Sequence, residues 1–94
     1  MLKIIGNVKK IKDKITTPKG TLIQTIGVKI MGEDTWVFPQ AHHYPEIVLE
    51  GIEIGDDVVI YFEIFGVEKN YENDDNTKKT FYHHNMIIKK INKI

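Results

Sequence analysis

One stretch limits what this chain can fold into more than any other: Ile52-Glu53-Ile54-Gly55-Asp56-Asp57-Val58-Val59-Ile60-Tyr61-Phe62-Glu63-Ile64-Phe65. Gly55-Asp56 reads as a tight turn, because Gly accepts φ > 0 and Asp can bond nearby backbone. From Asp57 onward, side chains of an extended segment alternate in direction. Val58, Ile60, Phe62 and Ile64 then share a face that is entirely apolar. Val59, Tyr61, Glu63 and Phe65 share the other, which carries a charge. A strand with one dry face and one tolerant face belongs in an antiparallel sheet closed over a core. Tyr61 and Phe65 are left open between core, subunit contact and the edge of a binding surface.

The remaining segments supply partners for that strand. Residues 2–11 alternate loosely and form a first strand, with Gly6 marking a bend or bulge of the kind barrels use at corners. Residues 12–20 form a loop closed by the turn Thr17-Pro18-Lys19-Gly20. Residues 21–31 form a second strand. Leu22, Gln24, Ile26, Val28 and Ile30 lie on one face, and Thr21, Ile23, Thr25, Gly27 and Lys29 on the other. Gly32-Glu33-Asp34 turns the chain into a short third strand, Thr35–Phe38, closed by Pro39. Residues 40–51 lose the period of two. Pro45 at a first helical position and Gly51 beyond the end predict one or two helical turns between them. Residues 66–79, rich in Asn and Asp, read as a long solvated hairpin loop or a strand extension with a mobile tip, and residues 80–91 as a fifth strand. Five strands with one helix between the third and fourth is the pattern of the OB-fold, a five-stranded Greek-key barrel of the all-β class. An SH3-like barrel has no helix at that point. At 94 residues, with no repeat or linker, the whole of 1–94 is expected to be one domain with one small core.

Composition narrows the functions. With no cysteine, disulfides and thiolate metal sites are excluded. Lysines interrupt the first fifteen residues, so no signal peptide is expected, and no run is long enough to span a bilayer. A soluble, cytoplasmic protein without a membrane or small-molecule partner is the expectation. The net charge is zero but unevenly spread: residues 1–30 and 76–94 are rich in lysine, and residues 31–75 are strongly acidic. There is no arginine, so the chain offers point charges to phosphates and few groups for bidentate reading of bases. No catalytic motif stands out, and no cofactor is implied. The histidines come as His42-His43 and His83-His84. Neighbours on a strand face opposite ways, so a metal site would need one from each pair plus carboxylates. Polar surface, or stacking by His84, is the simpler reading.

Several of these residues carry a resemblance. From Gly6 to Gly20 the chain reads G-N-V-K-K-I-K-D-K-I-T-T-P-K-G. With Leu49-Glu50-Gly51, the Gly55-Asp56-Asp57-Val58 turn, and an aromatic on either side of a polar hairpin (Tyr71 and Tyr82), it resembles the single-stranded DNA-binding proteins of bacterial and phage type. The resemblance implies an OB-fold that binds single-stranded DNA, or RNA, with little sequence preference, in replication or recombination. A phage or mobile element, and hence a host cytoplasm, is the expected setting. The acidic partner-recruiting tail of bacterial members has no counterpart after Ile94, and the hairpin tip lacks the usual Gly, leaving Asp75 or Asn76 for any φ > 0 position.

Such binding needs cations along the phosphates and flat rings under the bases. On an OB-fold these sit on strands two and three, beside the first loop and the last hairpin. The candidates are Lys12, Lys14 and Lys19 in the first loop, Lys29 on strand two, Lys78 and Lys79 after the hairpin, and the aromatics Trp36, Phe38, Tyr71 and Tyr82. Trp36 and Phe38 share a parity, and for each a core role and an exposed one stay open. A homodimer or tetramer is expected, since linking small sites raises affinity through effective concentration. The alternative function is an assembly module, with Trp36 and Tyr71 in a subunit interface and no nucleic acid bound.

Overall fold

The computed structural model describes residues 1–72 and 78–94; at Val67, Lys69, Tyr71, Glu72, Lys78, Lys79 and Phe81 it describes the backbone alone. Strands β1 (Leu2–Ile11), β2 (Ile15–Thr16), β3 (Leu22–Ile30), β4 (Trp36–Val37), β5 (Gln40–His42), β6 (Asp57–Glu72) and β7 (Lys78–Lys93) form one sheet, with helix α1 (Pro45–Val48) between β5 and β6. The order β1-β6-β7-β5-β3 is closed by a second pairing of β1, with β3. All contacts are antiparallel except β5 with β7, which meet in parallel at Gln40 and Ile87. If β4 and β5 are counted as one interrupted strand and β2 as an outlier, this is the five-stranded OB barrel.

The opening stretch does what its pattern demands. Val58, Ile60 and Phe62 are buried together with Val8, Ile26, Val28, Ala41, Leu49, Ile88 and Ile91. Ile64 departs from the expectation. It keeps the parity of Phe62 but is about half exposed, because β1 pairs with β6 only as far as Phe62 and from there β6 continues with β7 as its one described partner, toward a two-stranded ribbon. Residues 66–72 and 78–80 are accordingly paired strand, the strand extension of the two alternatives rather than the loop; the expectation for Asp75 and Asn76 lies outside the described residues. Phe65 is also about half exposed, and Tyr61 lies opposite Lys3 and Lys90.

Gly6 sits where β1 passes from β6 to β3, opposite both Val58 and Ile30. A Cβ there would lie 2.5 Å from the Lys29 carbonyl oxygen and 2.6 Å from Val28 Cγ1, so the close approach of two strands requires glycine. The bulge itself falls further on, between Val8 and Lys10. The third strand continues past Pro39, which is buried and leaves a break of two residues between β4 and β5. From Trp36 to His42 exposed or half-buried residues alternate with Val37, Pro39 and Ala41 facing the core, a period of two that the proline and polar residues obscure in the sequence. Pro45 opens α1 as expected, Leu49 beyond its end enters the core, and Gly51 takes φ 74°. Part of the first loop, expected to be irregular, folds back as β2, with Ile15 opposite Ile23.

The Gly55-Asp56 turn is tied on three sides. Gly55, at φ 97°, donates its N–H to the Val8 carbonyl at 2.7 Å. Asn7 Nδ2 donates to the Gly55 carbonyl and to Asp57 Oδ1, both at 2.9 Å. Asp56 Oδ2 accepts the Glu53 N–H at 2.7 Å and lies 3.2 Å from Lys93 Nζ. The backbone hydrogen bond and, secondarily, Lys93 hold the Asp56 carboxyl below its ordinary range. A depressed folded-state pKa stabilises the fold above the unfolded value of about 3.9 and is lost as pH falls through the folded value. The melting temperature should therefore drop on acidification below about pH 4, and Asp56→Asn should drop less over the same interval. Parallel curves for the two proteins in thermal melts from pH 6 to 2 would contradict this.

Candidate nucleic-acid interface

The outer face of β3 and β4 gathers the aromatic and cationic residues that the sequence singles out. β3 presents Gly27 outward, and the missing side chain leaves room for two rings. A Cβ at Gly27 would lie 3.4 Å from Phe38 Cε1 and 3.6 Å from Trp36 Cε3. The rings are 6.4 Å apart between centroids and inclined by 38°. Both are core-free: Trp36 is 45% and Phe38 49% exposed, so the exposed role is the one each takes. Lys29 lies opposite Trp36 across the β3–β4 pair, and opposite Asn7 on its other side. Two half-exposed rings against a glycine, with an ammonium beside them, make a flat apolar surface next to a cation.

Lys10 belongs to the same surface and was missed by sequence reasoning. Its Cβ would be 3.1 Å from a Cβ on Gly27. Strict alternation puts position 10 on the core side with Val8. The bulge between them inserts Lys9 and turns Lys10 outward, leaving both lysines exposed. Gln40 and His42 were missed too, since they continue the outward parity of Trp36 and Phe38 across the break at Pro39. His42 Nε2 is 2.9 Å from Gln40 Oε1. Burial, then His43 and Lys89, lowers the His42 pKa and favours the neutral ring.

The first loop divides its three lysines. Lys12 is exposed at the end of β1, its carbonyl accepting Gln24 Nε2 at 2.9 Å. Lys14 forms an ion pair with Glu46 of α1, which pins the loop to the helix and lowers the Glu46 pKa. Lys19 stands exposed in the Thr17–Gly20 turn, where the Gly20 N–H donates to the Thr17 carbonyl at 2.8 Å and Gly20 takes φ 85°. Tyr82 is 71% exposed but stands apart on the ribbon, opposite Glu68. It is five residues from Ile87, where β5 meets β7, or about 17 Å along the strand. Tyr71 and Lys79 are paired in backbone register, with Lys78 opposite Glu72; their side chains lie outside the described residues. Among the described residues no cluster of three His, Asp or Glu could hold a metal ion, and no helix is long and apolar enough to cross a membrane.

No family model matches the chain, and no curated protein does either. Solved structures do match, and two of them are of a single-stranded DNA-binding protein whose fold this chain shares. A crystal structure of the mitochondrial single-stranded DNA-binding protein Rim1 of S. cerevisiae covers 99% of this chain and 92% of its own, with a TM-score of 0.63 at 20% identity. A selenomethionine-labelled crystal of Rim1 gives the same coverage, with a TM-score of 0.57 at 22% identity. At that identity the likeness is one of fold.

Proposed function

We propose that this protein binds single-stranded nucleic acid, DNA above all, with little sequence preference. The observation that carries the reading is the half-exposed Trp36–Phe38 pair laid against Gly27, with Lys10 and Lys29 at its border. Bases stack on such rings irrespective of identity, and the lysines attract the phosphates. The fold supports the reading, since its solved neighbours are single-stranded DNA-binding proteins and this is the face OB-folds use. Lys12 and Lys19 extend the cationic track along the first loop, and Tyr82 offers a further exposed ring on the ribbon, the stretch to which the sequence also assigns Tyr71, Lys78 and Lys79. The process served is replication or recombination, in a phage or mobile element on the sequence reading above, with a homodimer or tetramer raising affinity through effective concentration.

Titration of labelled oligo-dT at two salt concentrations tests this, with oligo-U alongside. Micromolar or tighter binding that weakens steeply with salt, with quenching of Trp36 fluorescence, is expected. No binding at low salt would overturn it. That result would favour the assembly module instead, for which the observation is the half-exposure of both Ile64 and Phe65 on the ribbon.

The Lys14–Glu46 pair yields a further expectation. The carboxylate competes with phosphate for one of the loop's cations. Glu46→Gln should therefore tighten oligo-dT binding at low salt and steepen the plot of log K against log salt by up to about 0.7, the increment for one more phosphate contact on a single strand. An unchanged slope would mean that Lys14 serves only to hold the loop.

A further inference from the structure

A groove of about 530 Å³ opens on the barrel's outer surface where the first loop, β3, β5 and β7 converge, and of the interface residues above only Lys19 and His42 line it. Its size falls in the range of small-molecule sites, roughly 300–1,000 Å³. Its floor includes Ile23, only 9% exposed, whose apolar surface suits the face of a flat ring. Around it stand groups that suit a ring's edge. The Thr17 hydroxyl oxygen accepts the Thr21 N–H at 3.1 Å, so its own O–H is left to donate. His42 Nε2 pairs with Gln40 Oε1 at 2.9 Å, and in the tautomer that donates to that oxygen Nδ1 is left as an acceptor. Asn85, exposed on β7, offers a donor and an acceptor together. Among the described residues Lys19 supplies the one cation. An apolar floor, several neutral hydrogen-bonding groups and a single ammonium match a nucleoside phosphate unit, with the base inside and the phosphate at the rim.

The groove also lies in line with the aromatic pair. Trp36, Phe38, Gln40 and His42 share the outward parity of one nearly continuous strand, so the rings and the groove are separated by roughly 20 Å or less. A single strand stacked on Trp36 and Phe38 and following that edge arrives at His42 and Asn85.

We propose that this groove takes up one unstacked nucleobase and reads its edge through Asn85, His42 and Thr17, giving an otherwise indifferent binder a base preference at one position. The inference rests on the nucleic-acid reading above and refines it. Hydrogen bonds to base edges discriminate by pattern, whereas lysine–phosphate contacts do not and ring stacking does so only modestly.

The test is to measure the affinities of oligo-dT, oligo-dA and oligo-dC of equal length for the wild type, Asn85→Leu, Asn85→Ala and Lys19→Ala, each across a salt series. For the wild type, the best and worst oligonucleotides should differ by about fivefold or more, as a base-edge contact allows. Both Asn85 variants should compress that spread to within about twofold and leave the salt slope unchanged, because Asn85 carries no charge. Lys19→Ala should weaken all three alike and lower the slope by about 0.7. Asn85 is an exposed strand residue, and its leucine variant keeps the branched shape while the alanine variant adds no bulk, so the fold should survive. Equal affinities for the three oligonucleotides in the wild type, or an undiminished spread in both Asn85 variants, would overturn the proposal while leaving nucleic-acid binding intact. Absence of binding to all three would overturn the underlying reading as well.

Discussion

Ile60→Ala is expected to cost about 2–5 kcal/mol of unfolding free energy, the range for truncating a fully buried isoleucine. Ile60 is completely buried and, with Ile26, is among the largest described side chains with no exposure. It lies on β6 between Ile4 of β1 and Ile91 of β7, so one truncation opens the core beneath three strands. Small barrels cannot absorb this. A 94-residue chain has one core cluster, and strand pairing on both sides of β6 prevents the walls from collapsing into the void. Ile64→Ala is the control, on the same strand and the same face but half exposed on the ribbon, and should cost well under half as much. Urea denaturation of the two variants measures the difference directly. Equal losses would mean that the ribbon is buried against something in solution, and would turn attention to a subunit contact there.

That contrast between Ile60 and Ile64 marks how far the sequence can be read. The dry face of β6 is legible because alternation is local, and so are the Gly55-Asp56 turn and Pro45 at the head of α1. Where the sheet ends is not local. It depends on which strands lie across from β6, and nothing in residues 57–65 distinguishes barrel from ribbon. The candidate surface divides in the same way. Trp36 and Phe38 were identifiable by residue type and parity, but their exposure depends on Gly27, a residue on another strand. Lys10 was hidden by a one-residue bulge that reverses the direction of its side chain. Gln40 and His42 were hidden by Pro39, which breaks the ladder yet leaves the side-chain alternation intact. Lys14 looked equivalent to Lys12 and Lys19, and differs because Glu46, 32 residues away, reaches it.

Trp36→Ala and Phe38→Ala are each expected to weaken oligo-dT binding by about 1–3 kcal/mol, or roughly 5- to 150-fold. Neither should destabilise the fold in proportion, because neither ring belongs to the core cluster. That dissociation between binding and stability is the diagnostic result. A ring that caps the barrel would lose both together. The two losses should not add. With centroids 6.4 Å apart, the rings share one surface, and removing the first alters how a base sits on the second. The salt slope should stay unchanged in both variants, since no phosphate contact is lost, whereas Lys29→Ala should reduce it by about 0.7 with a smaller loss at high salt. Gly27→Val offers a complementary route. Its side chain would enter space now occupied by Phe38 and Trp36 and press on Lys10, displacing the rings without removing them. Weakened binding with both aromatics still present would establish that their placement against the β3 backbone, and not ring content alone, makes the surface. Unimpaired binding in Trp36→Ala, Phe38→Ala and Gly27→Val together would remove the platform from the binding surface and leave the first loop and the ribbon to carry it.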